Sequence, residues 1–139
     1  MAVVGMQITN RSTFAKGRRF GSVGVYERID GMLQFAVSPG HPRNAGIIDL
    51  DLAPRDGAGH VRFQAGFTLL QPVDAGRSSG RLLVCCPNRG GRALSYHRAS
   101  GAARPGEGID PGDGLLMHRG WGIAWVGWQW DVPAGRDAV

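Results

Sequence analysis

The residues most able to do chemistry lie in Asn88-Arg89-Gly90-Gly91. They follow a short apolar run, Leu82-Leu83-Val84-Cys85-Cys86, which Pro87 stops. Glycines let a backbone approach a ligand closely, and their amides can point at negative charge. A short apolar run bounded by turn signals fits a strand buried on both faces, as in the middle of a parallel sheet, and ligands gather beyond the carboxyl ends of such strands. The other candidates are weaker. Asp49 and Asp51, at i and i+2 of a strand-like stretch, could form an acid/base pair or a metal site, but a solvated outer sheet face explains them more simply. His41, His60, His97 and His118 are scattered and have no nucleophile at a recognisable spacing. Cys85 and Cys86 are neighbours on a strand, point to opposite faces, and are expected as free thiols. No metal site and no cofactor is expected.

The elements that must position these residues follow from hydrophobic period and turn chemistry. Residues 1–10 alternate mildly and suggest a first strand, and residues 11–20 read as a basic loop. Residues 21–37 suggest a hairpin turning at Asp30-Gly31, the strongest short hairpin signal. Residues 47–52 suggest a strand. Residues 60–73 alternate with period two, with Phe63, Phe67 and Leu69 on one side and Arg62, Gln64 and Thr68 on a wet side. After the apolar run, residues 92–100 read as one or two helical turns, and residues 115–119 as a short helix that Gly120 stops. Residues 121–130 form a second buried run, rich in tryptophan. Strand, helix and strand in this order make a βαβ crossover with parallel strands. The expected fold class is therefore α/β: a single domain over 1–139, with an antiparallel meander over 1–80 leading into a βαβ unit over 81–131. Such a sheet looks incomplete, because nothing in this reading covers it on both faces.

Composition narrows the function. The 139 residues are 42% hydrophobic and 19% charged, as expected of a folded domain. Net charge is +5, but only Lys16, Arg18 and Arg19, with Arg11 nearby, form a cluster. Scattered arginines argue against nucleic-acid binding, which needs a basic patch or stripe. No stretch reads as a secretory signal or membrane span, so the expectation is a cytoplasmic protein with no membrane partner.

Several blocks, in order, resemble the N-terminal part of a bacterial family of alpha/beta hydrolase domain-containing proteins. They are Tyr26-Glu27-Arg28-Ile29-Asp30-Gly31, Ile48-Asp49-Leu50-Asp51-Leu52-Ala53-Pro54-Arg55, Leu70-Gln71-Pro72-Val73-Asp74, Pro87-Asn88-Arg89-Gly90, Gly114-Leu115-Leu116-Met117-His118-Arg119-Gly120 and Trp125-Val126-Gly127-Trp128-Gln129-Trp130-Asp131. The resemblance implies an α/β-hydrolase-like sheet, a relation to carboxylic-ester hydrolases and a small ester substrate. It implies that a backbone N–H of Arg89, Gly90 or Gly91 supplies half an oxyanion hole. Asn88, Trp128 and Gln129 would then line the substrate side of the same rim, although packing for buried area is the simpler role for tryptophan. Family members place a serine on a Gly-x-Ser-x-Gly turn after a fifth strand. Only strands up to the fourth are recognised here, and none of the serines, Ser78 and Ser79 included, is read as sitting in that glycine-flanked setting. The chain is thus expected to be inactive alone: a truncated member, a fragment or one subunit of a split hydrolase. Self-association or a complementary C-terminal hydrolase chain would complete it. The alternative is a non-catalytic, β-rich binding or assembly module.

Overall fold

A computed structural model describes residues 2–86 and 109–129. Five strands form one mixed sheet: β1 (Ala2–Thr13), β2 (Tyr26–Val37), β3 (Val61–Pro72), β4 (Leu82–Cys85) and β5 (Gly122–Val126). Their spatial order is β1-β2-β3-β5-β4. The β1–β2, β2–β3 and β3–β5 contacts are antiparallel, and β4 pairs with β5 in parallel. The only α-helix among the described residues is α1 (Leu115–His118), and the other helical pieces are single 3₁₀ turns.

This corrects the expected α/β class. A parallel crossover pair is present, but among the described residues the one α-helix has four residues, too few for the helical layers that define that class, and the protein is β-rich; the other expected helical stretch, 92–100, lies outside the described residues. The many glycines and prolines favoured short turns over helices.

Neighbours across the ladders share a face, so the register assigns each residue to one side. On one side, Tyr26, Leu70, Ile123 and Trp125 pack with Phe14, Phe20, Val23, Ile109 and Met117 in the main core. Leu83 and Cys85 border this core from β4. The hydroxyl of fully buried Tyr26 bridges to the carbonyls of Met117 and Trp121, at 3.1 and 3.0 Å, tying the carboxyl end of α1 and the turn after it to the sheet. Gly120 adopts φ +71°, the left-handed stop expected there, and a side chain would also strike the Arg77 carbonyl at 2.7 Å.

Four other expectations change. Asp30-Gly31 is not a turn: β2 runs straight through it, paired on both sides. Gly31 serves close packing instead, because a Cβ there would lie 2.7 Å from the Phe67 ring and closer still to the Gln7 carbonyl. Asp30 faces the opposite side, where its Oδ1 accepts from Thr68 Oγ1 at 2.6 Å and from Arg28 Nη2 at 2.9 Å. Burial alone would raise the Asp30 pKa, but these donors and the Arg28 charge hold it below the ordinary carboxylate value. Residues 47–52 are not a strand: Leu50–Leu52 is a 3₁₀ turn entered through Asp49 at φ +59°, with Ile48 exposed. In β3 the wet side is restricted to its first half, since Thr68 and Leu70, on the side expected to be wet, are fully buried. Finally, β4 is the outermost strand, and Leu82 and Val84 are each 54% exposed, so it is not buried on both faces.

Candidate functional site

The parallel β4–β5 pair positions the candidate site. Register partners Leu82↔Gly122 through Cys85↔Trp125 bring the two carboxyl ends side by side. Gly127 N–H donates to the Gly66 carbonyl at 2.9 Å, anchoring the exit of β5 to β3 before Trp128 and Gln129. Trp128 is 62% exposed at this rim, whereas Trp125 is fully buried in the core below it. A rim position, rather than core packing, therefore applies to Trp128. The indole N–H of Trp125 meets no acceptor among the described residues, which leaves a buried donor beside Cys85. Burial first, and the neighbouring Cys86 second, push the Cys85 thiol up, so it is protonated and poorly nucleophilic near neutral pH. Both cysteines are free. Asn88, Arg89, Gly90 and Gly91, the oxyanion and substrate candidates, lie outside the described residues, as does His97.

One serine does stand between glycines. Gly76-Arg77-Ser78-Ser79-Gly80 spells Gly-x-Ser-x-Gly, so Ser78 cannot be set aside for want of that flanking pair. Its structural setting disqualifies it. A nucleophile elbow needs a strand-to-helix turn at the carboxyl end of a strand. Here the motif follows β3 and leads directly into β4, strand to strand. It lies at the amino end of β4, about 13 Å of strand away from the carboxyl-end rim. Its polar groups have structural partners: Ser78 Oγ accepts from Gly80 N–H at 3.2 Å, and Ser79 Oγ donates to the Gly120 carbonyl at 3.0 Å.

The remaining candidates are also structural. His41 Nδ1 accepts the Arg43 amide at 3.1 Å, capping a turn. His118 packs edge-on to Phe20. Arg62 and the His60 amide hold Asp56 down at a pKa of about 2, and His60 Nδ1 stands 3.9 Å from that carboxylate. Asp49 and Asp51 share no strand face, and no group of three metal-ligating side chains occurs among the described residues. The basic cluster is partly occupied: Arg11 pairs with Glu27 at 3.4 Å, and Arg18 donates to the Gly112 carbonyl and lies over the Phe20 ring. Among the described residues, no helix is long and apolar enough to cross a membrane. Sequence reasoning missed the Arg28–Asp30–Thr68 cluster because Asp30-Gly31 carried a turn signal. The period-two placement of Asp30, in line with Tyr26 and Arg28, was the signal that could have found it. Compared with protein-family models, curated proteins and solved structures, the chain matches none.

Proposed function

We propose that this chain is a hydrolase-like protein related to carboxylic-ester hydrolases, which supplies the acyl-binding, oxyanion side of a site and no nucleophile. The observation that carries this reading is the parallel β4–β5 pair. Its two carboxyl ends are adjacent, so the segments that leave them start from one rim of the sheet. The sequence continues from one end into Asn88-Arg89-Gly90-Gly91 and from the other into Trp128-Gln129. Backbone amides on the first side suit a developing oxyanion, and an exposed aromatic on the second suits a short acyl or alcohol group. Ser78, at the far end of β4, cannot serve this rim. A complementary segment or chain would add the nucleophile, and the outer edge of β4, unpaired among the described residues, is open to its strand.

The test is to incubate the 139-residue chain with p-nitrophenyl acetate and butyrate, and separately with a fluorophosphonate probe followed by peptide mass mapping. No release above buffer and no adduct at Ser78 are expected. Ester turnover lost on Ser78→Ala, with a phosphonate on Ser78, would overturn the assignment.

A further inference from the structure

The side of the sheet opposite the main core is apolar across all five strands. Val3, Met6 and Ile8 of β1, Phe63 of β3, and Leu82 and Val84 of β4 all face it, each between 44% and 62% exposed. Between them lie Ile29, Phe67 and Ala124, which are buried. Only Arg11 and Glu27 are charged among the ladder residues on this side, and they pair with each other at the end of the sheet.

Size decides what this face is for. Three twelve-residue strands and two shorter ones, at about 3.4 Å per residue and 4.8 Å between strands, span roughly 730 Å². A monomer's largest apolar patch is about 300–600 Å². Two such faces together would bury up to roughly 1,450 Å², past the ~1,000 Å² expected of a specific interface.

We infer that this face is the interface of a homodimer, in which two sheets stack through it about a two-fold axis. Charge favours a second copy as the occupant. A partner selected by the net charge of +5 would be recognised on a charged surface, and this face is not one. Turned on itself, it sets no like charges in its centre, and a two-fold axis makes each apolar residue both donor and receiver of contact. The sheets would lie about 10 Å apart, at roughly 30°. The inference rests on the sheet alone and stands whether or not the rim binds an acyl group.

The experiment is sedimentation velocity of the 139-residue chain from low micromolar concentration upward, with Phe63→Lys, Met6→Lys and Gln64→Lys. Gln64 neighbours Phe63 but points to the other side of the same strand, so its lysine is a matched control. Twice the chain mass is expected for the native protein and for Gln64→Lys, and at least a tenfold weaker association for Phe63→Lys and Met6→Lys. Circular dichroism checks that each variant is folded, and Met6→Lys, on the sheet edge, keeps the test open if Phe63→Lys is not. A native monomer at all concentrations, or equal weakening by Gln64→Lys, would overturn the inference.

Discussion

Replacing Gly31 by alanine should destabilise the protein strongly, although the same change in an ordinary strand is favourable. The usual gain is about 0.5–1 kcal/mol, because glycine loses the most backbone freedom on folding. At Gly31 the added methyl would lie 2.7 and 2.9 Å from two carbons of the Phe67 ring and closer still to the Gln7 carbonyl oxygen, which is backbone. A comfortable separation is about 3.5 Å, so β1 and β2 must part locally. Losing two ladder hydrogen bonds costs about 0.5–1.5 kcal/mol each. Displacing the ring of Phe67, only 6% exposed, forfeits part of the roughly 1.5–3 kcal/mol its burial is worth. After the entropic gain is subtracted, the net loss is about 2–4 kcal/mol, combining these terms. With a urea slope of about 1.5 kcal/mol/M, the unfolding midpoint falls by about 1.3–2.7 M. Gly57→Ala is the control, since nothing lies within 4 Å of its added methyl. It should stay within about 0.5 kcal/mol of the native protein. Equal or greater stability of Gly31→Ala would refute the reasoning and return Asp30-Gly31 to a turn.

Further outcomes follow from the same geometry. Tyr26→Phe removes the donor that ties α1 to the sheet and should cost about 1–2 kcal/mol in urea unfolding; a change below about 0.3 kcal/mol would contradict that role. Burial pushes Tyr26 up to about 12, so its neutral form is favoured by folding. That stability is intact below the unfolded value near pH 10 and is lost as pH rises toward 12, which alkaline titration followed at the tyrosinate absorbance would detect. Asp56 behaves oppositely: held down to about 2, chiefly by Arg62, it stabilises the fold above about pH 4 and loses that contribution as pH falls through about 2. Arg62→Ala should move the Asp56 carboxyl titration upward by carbon NMR, and an unmoved titration would remove Arg62 as the cause. With iodoacetamide at pH 8, exposed Cys86 should react well before half-buried Cys85, whose thiol is pushed up; equal rates would contradict the burial assigned to Cys85.

The parts legible in the sequence were those with a strong local period. β3 is close to its expected span, the α1 stop at Gly120 is in place, and the two apolar runs do pair in parallel. What sequence could not convey was which strands would be central. Leu82 to Cys86 looked buried on both faces, but an edge strand can be as apolar as a central one when one face packs and the other does not. Asp30-Gly31 misled because glycine has two uses, positive φ and close approach, and only a neighbour such as Phe67 reveals which applies. The α/β expectation failed for a related reason: a strand–helix–strand pattern was recognisable, but not that the described helix would be a single turn. At the candidate site, the exposure of Trp128 was open between pocket and core until the register of β5 was known. The Ser78 motif needed its position at the amino end of β4 to be judged.

The most direct test of an acyl-binding rim is a titration of the isotopically labelled 139-residue chain with ethyl butyrate, followed by proton–nitrogen NMR. Saturable shifts are expected in the indole signal of Trp128 and the amides of Asn88, Arg89, Gly90 and Gly91, with Ser78 and Ser79 unmoved. Shifts centred on residues 76–80, or none at all, would contradict a site at the carboxyl ends of β4 and β5.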